Sequence, residues 1–150
     1  MKLSAFADVC LRTVMVLGAP GVGQLTSREV SDLVGVPYNH VAKAVLELRT
    51  LGLIEVTRGR HGGAQMTEQG LAFSVGALLR RLDWREDVVD CTSHDATDDC
   101  PLAGGCRLRL ALRAAREAFY ASLDPLTVKE ICENSPAIGL LPFPTVRHGA

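Results

Sequence analysis

Along the first third of the chain apolar side chains recur at every third or fourth position, the repeat of an amphipathic helix. Phe6, Val9, Cys10, Thr13 and Leu17 share one face behind a Ser4 N-cap, which makes Cys10 a core residue. Asp8, Arg12 and Met15 lie opposite, with Asp8 placed as a first-turn carboxylate that pairs with Arg12 at i,i+4. The run GAPGVG at 18–23 ends that helix. Thr26 and Glu29 have capping-box spacing and open a second, short helix that stops near Gly35. A third begins at Pro37, buries Val41, Ala44, Val45 and Leu48, turns Asn39, Lys43, Glu47 and Thr50 outward, and ends at Gly52 after Leu51.

The period then changes from helical to alternating. Leu53 to Thr57 reads as a strand, RGRHGG at 58–63 as a basic turn, and Ala64 to Thr67 as the returning strand. Helical spacing resumes with Leu71, Val75, Leu78, Leu79 and Leu82 on one side of a single helix, with Arg80, Arg81, Asp83 and Arg85 as its solvated face and end. Leu102 to Ser122 carries the longest helical signal, closed by Asp124-Pro125. It has two apolar faces, Leu108, Leu112, Ala115 and Phe119 on one and Leu110, Ala114, Ala118 and Ala121 on the other. A small domain would leave one of them bare, so a second copy of the chain is expected to cover it. Leu126 to Cys132 predicts one more short helix, with Cys132 in the core, and from Asn134 an irregular tail follows.

The expected fold is mainly α with a small β-wing, a winged helix-turn-helix plus a long dimerisation helix. The divisions are a DNA-binding domain over 1–84, a cofactor loop over 85–107, the dimerisation helix and a short packing helix over 108–133, and the tail over 134–150. A recognition helix of this kind enters the major groove, while arginines at the tip of a narrow hairpin suit an A·T-rich minor groove. His61 is at best a phosphate contact.

Composition narrows the reading. With 150 residues, 47% of them hydrophobic and 22% charged, the chain is long enough for one core and an extension. A formal net charge of -1 gives no global attraction to phosphate, so contact with double-stranded DNA must come from the local basic positions. The N-terminus lacks a signal-peptide pattern, and no apolar run approaches the ~20 residues that cross a bilayer. A cytoplasmic protein without a membrane partner is expected. No Gly-rich dinucleotide loop and no acid–base or nucleophile constellation stands out, so an enzyme is not expected.

An odd number of cysteines in a reducing compartment argues against a disulfide framework. Three of the five, Cys91, Cys100 and Cys106, lie in the acidic, glycine-containing stretch CTSHDATDDCPLAGGC, which has no apolar periodicity with which to pack them. Thiolates separated by eight and five residues are soft donors for iron–sulfur or zinc, and neither gap is a tight zinc knuckle. His94 or one of Asp95, Asp98 and Asp99 could complete the set, and zinc with His94 or a redox-active thiol cluster remain alternatives to iron–sulfur.

The order of winged helix-turn-helix, three-cysteine loop and long helix resembles the iron–sulfur winged-helix repressor superfamily. Within it the chain is similar to nitric-oxide-sensing repressors of the actinobacterial type. The likeness is carried by MKLSAFADVCLR, REVSDLVGVPYNHVAKAVLEL, LGLIEVTRGRHGG and VVDC…CPLAGGCRLRLALRAAREAFYASLDPLTV, and spans about residues 1–130. It implies a homodimeric repressor with an iron–sulfur cluster, 4Fe-4S with 2Fe-2S as the alternative, whose nitrosylation lowers operator affinity. It implies cluster ligation by Cys91, Cys100 and Cys106, with Asp8 donated from the other subunit. It also implies DNA contacts from Pro37, Tyr38, Asn39, His40 and Lys43 on the recognition helix and from Arg58, Arg60 and His61 on the wing. Thr92 to Asp99 is longer than the spacing usual in that superfamily. An iron- or redox-responsive regulator of the same superfamily, or a zinc-stabilised DNA-binding protein, is the runner-up.

Overall fold

The computed structural model describes residues 3–83, 101 and 105–144. Helix α1 spans Ala5–Leu17, and the Ala7 N–H donates to Ser4 Oγ at 3.1 Å, the expected cap. Ala7, Cys10 and Val14 on its inner face are fully buried. Thr13 is buried with them because its hydroxyl donates to Val9 O at 2.8 Å and leaves no unpaired polar atom. Helix α2, Ser27–Val34, starts with a reciprocal cap: the Thr26 N–H donates to Glu29 Oε2 at 2.8 Å and the Glu29 N–H to Thr26 Oγ1 at 3.2 Å. It ends at Gly35, whose φ of 66° lies where a side chain is disfavoured. The Ser31 hydroxyl donates to Val36 O at 2.7 Å across this turn, so the chain enters helix α3, Tyr38–Thr50, at a fixed angle. Val41, Ala44 and Leu48 of α3 are fully buried against α1 and α2.

Strands β1, Ile54–Thr57, and β2, Gly63–Met66, pair antiparallel with Ile54 opposite Met66 and Thr57 opposite Gly63. Leu25 adds an isolated antiparallel bridge to β2, exchanging hydrogen bonds with Ala64 at 3.0 and 2.7 Å. The wing is thus stitched to the loop between α1 and α2 as well as to itself.

The helix expected across Leu71 to Leu82 is two helices, α4 over Glu68–Leu71 and α5 over Val75–Leu82. Ser74 breaks the run by capping α5, its hydroxyl accepting from the Ala77 N–H at 3.2 Å. The backbone there pairs with a distant segment, Val75 N–H to Leu126 O at 2.8 Å and Val128 N–H to Phe73 O at 3.0 Å. A tertiary pairing has overridden local periodicity.

Helix α6, Arg107–Ser122, starts after a Cys106 N-cap, five residues later than the pattern suggested; residues 102–104 lie outside the described residues, as do 84–100. Tyr120 is its one buried side chain, while Leu108 and Leu110 are 63% and 64% exposed. Where α6 meets α5, a Cβ on Gly76 would collide with Tyr120 O and Asp124, so only glycine permits this approach. Helix α7, Val128–Glu133, has its own capping box from Thr127 and Glu130 and buries Val128 and Cys132. Residues 135–144, expected as part of an irregular tail, carry a 3-10 turn over Ile138–Leu140 that buries Ile138, and Leu141 and Phe143 pack on the main core. No helix among the described residues is long and apolar enough to cross a membrane.

Candidate nucleic-acid interface and cysteine site

Burying Val41, Ala44, Val45 and Leu48 leaves the opposite side of α3 open, and there Tyr38, Asn39, His40 and Lys43 are exposed behind an exposed Pro37. All five expected recognition residues therefore share the open N-terminal end of α3. Two side chains absent from the sequence expectation join them. Leu46 is 62% exposed and falls between Asn39 and Thr50 on the helical repeat. Arg28, in the first turn of α2, places its guanidinium 5.0 Å from the centroid of the Tyr38 ring. Its sequence signal was a cation at the positive end of a helix dipole, a place that does not favour one.

The recognition helix runs straight into the wing, since the Leu53 N–H donates to Leu48 O at 3.0 Å. Arg58, Gly59, Arg60 and His61 are exposed at the wing's tip, beyond the last paired residues Thr57 and Gly63. Gln24 Nε2 donates to Thr57 Oγ1 at 3.0 Å and braces its base. Neither arginine makes an ion pair with the described residues, so both charges are open to an external anion.

Of the expected cluster donors, Cys106 and Asp8 are described, while Cys91, Cys100 and the alternatives His94, Asp95, Asp98 and Asp99 lie outside the described residues. Cys106 occupies the N-cap of α6, half-buried, with its sulfur making no capping hydrogen bond. A thiolate at the N-cap position lies near the positive end of the helix dipole, a place that favours its charge. Asp8 is about half exposed on the outer side of α1 and meets Arg12 at 2.9 Å, as the i,i+4 spacing predicts. Cys10 and Cys132 are different. Burial, aided by the nearby Glu47 charge, pushes the Cys10 thiol up to about 12, and burial with Glu133 pushes Cys132 up to about 11, so both stay neutral packing groups. No set of three or more potential metal donors comes together among the described residues. The two described donors nonetheless suit an iron–sulfur cluster, one soft sulfur on a half-buried residue and one hard carboxylate on a half-exposed side chain.

Between these regions a clamp joins α5 to α6. Arg80 donates to Glu117 at 2.6–3.1 Å and to Asp124 at 2.6 and 2.9 Å, and lies over the Tyr120 ring at 5.8 Å. Hydrogen bonds from Arg80 hold both carboxyls below their usual range. The Tyr120 hydroxyl donates to Asp83 Oδ2 at 2.5 Å, and burial followed by that hydrogen bond pushes the phenol up to about 12. A cleft of about 330 Å³ is lined by Arg80, Asp83, Arg113, Arg116, Glu117 and Tyr120. Arg80 is thus an inter-helix tie rather than the solvated surface charge that local spacing suggested; its partners lie 37 and 44 residues away.

Residues 3–134 match the Rrf2 family, described as an iron-dependent transcriptional regulator. The chain is 50% identical over 133 residues to the HTH-type transcriptional repressor NsrR of Streptomyces coelicolor, covering 87% of this chain and 88% of that protein. Its fold is similar to the oxidized form of CymR from Staphylococcus aureus, with a TM-score of 0.63, 25% identity and coverage of 89% and 97% of the two chains. It is similar also to T. potens IscR, with a TM-score of 0.62, 17% identity and coverage of 87% and 85%. Helix-turn-helix, wing and long helix are therefore a shared architecture, and the chain belongs to the Rrf2 family of transcriptional regulators, in which it is of the actinobacterial NsrR type.

Proposed function

We propose that the chain is a homodimeric repressor that binds an operator in double-stranded DNA in the cytoplasm and senses nitric oxide through an iron–sulfur cluster, 4Fe-4S in form. Cys91, Cys100 and Cys106 of one subunit and Asp8 of the partner subunit would hold it. The observation that carries this reading is the pairing of an uncommitted Cys106 sulfur at the start of α6 with an accessible Asp8 carboxylate on α1, the helix against which α3 packs. When bound, the cluster would supply iron that reacts with nitric oxide.

The protein's own residues would turn ligation into DNA affinity. Asp8 cannot move far without α1, and α1 shares its fully buried residues with Val41, Ala44 and Leu48 of α3. A tie from Asp8 to the partner's cysteine loop would thus fix the angle between two winged domains and set both recognition helices about 34 Å apart, one turn of the duplex. Losing that tie would let the domains leave this register. A coupling of about 3 kcal/mol is enough to lower affinity roughly a hundredfold.

The test is anaerobic purification, an absorption spectrum, and nitric oxide titration while binding to a duplex selected from a random pool is followed. A brown protein whose iron–thiolate band bleaches as DNA affinity falls supports the reading. A colourless protein holding one zinc, with DNA binding indifferent to nitric oxide, would replace it with a zinc-stabilised regulator. The iron dependence in the family's description favours, as second reading, an iron-responsive regulator using the same donors; chelation would then release DNA where nitric oxide does not.

A further inference from the structure

We propose that Arg28 is a phosphate contact of the DNA-binding face, held in position by the ring of Tyr38; this rests on the chain being a DNA-binding protein. Arg28 is exposed in the first turn of α2, where the helix dipole opposes a cation, so helix stability does not account for it. The neighbouring carboxylate is committed elsewhere: Glu29 accepts from the Thr26 backbone and hydroxyl at 2.8 and 2.9 Å. Arg28 makes no ion pair with the described residues and instead lies over the Tyr38 ring, 5.0 Å from its centroid.

That contact places the charge usefully. Tyr38 is the first residue of α3, 43% exposed and adjacent to Asn39, so the stack brings an α2 side chain to the end of the recognition helix that enters the groove. In a helix-turn-helix the preceding helix crosses the sugar-phosphate backbone at this point. A ring engages the face of a guanidinium and leaves its N–H edges free, so the stacked group can still donate two parallel hydrogen bonds to a phosphodiester. Stacking also removes rotamers that a free surface arginine would lose on binding. The ligand is one DNA phosphate, and the contact sets register without reading bases.

The experiment measures affinity of the full, cofactor-loaded chain over a salt series, using a mixed-sequence duplex and a duplex that the unmodified protein selects from a random pool. Arg28→Ala is expected to weaken binding about tenfold on both and to reduce the slope of log affinity against log salt by about one. Arg28→Lys should keep the slope while losing part of the affinity. Tyr38→Leu should weaken binding and flatten the slope together, because it frees the guanidinium. An Arg28→Ala slope equal to the parent's overturns the phosphate contact. A Tyr38→Leu protein with weaker binding and an unchanged slope overturns the positioning role of the ring. A parent protein that binds neither duplex would sink the DNA-binding reading and this inference together.

Discussion

Cys10, Cys132 and Cys106 carry the same thiol in different surroundings, and the surroundings decide what each can do. Burial raises Cys10 from the ordinary 9.0 to about 12 and Cys132 to about 11. A raised value in the folded state means these thiols stabilise the fold below their ordinary pKa, a contribution lost as pH rises through about 11 and 12. In cluster-free native protein at mildly alkaline pH, iodoacetamide should therefore label Cys106 and spare Cys10 and Cys132 until denaturant is added. Peptide mass spectrometry reads this directly, and equal labelling of Cys10 and Cys106 would contradict the assignment. The core role of Cys10 and Cys132 was legible in the sequence because each falls on an apolar stripe. The ligand role proposed for Asp8 has no such local signal: a half-exposed carboxylate beside Arg12 has the spacing of any surface ion pair, and only a family resemblance singled it out.

At the scale of elements, the parts governed by local rules could be read in advance and the parts governed by distant partners could not. The caps at Ser4 and Thr26, the Gly35 turn and the alternating wing are decided within a few residues, and the first three helices and the wing lie where periodicity put them. The break between α4 and α5 depends on Thr127 and its neighbours, more than fifty residues on, and the Arg80 clamp depends on Glu117 and Asp124. That clamp should respond to acid. Glu117 and Asp124 are depressed by Arg80, so their contribution is present above the usual carboxylate range and is lost as pH falls through their lowered values. Arg80→Ala should reproduce the loosening at neutral pH, with faster amide hydrogen exchange in α6 and unchanged protection in α1 and α3. Identical exchange across α6 in both proteins would show that the clamp contributes nothing.

For the whole molecule the open question is how α6 is covered. Leu108 and Leu110 are largely exposed and Phe119 is 38% exposed, which suits association with a second copy. Leu108→Glu with Leu110→Glu is expected to shift the sedimenting species from dimer to monomer and to abolish operator binding, while far-ultraviolet circular dichroism keeps the winged domain's helix signal. A double variant that still sediments as a dimer would place the interface elsewhere.

A helix of sixteen residues with one buried side chain also packs little of its surface against the described residues. Isolated helices of this length are marginal in water, and the clamp at Arg80 grips the later half, at Glu117 and Tyr120. Were the proposed second copy to supply support, order at the Cys106 end of α6 would become a matter of dosage. The fraction of chains with that end formed would then rise with copy number, so a cell that makes few copies and one that makes many would hold different populations of the same polypeptide.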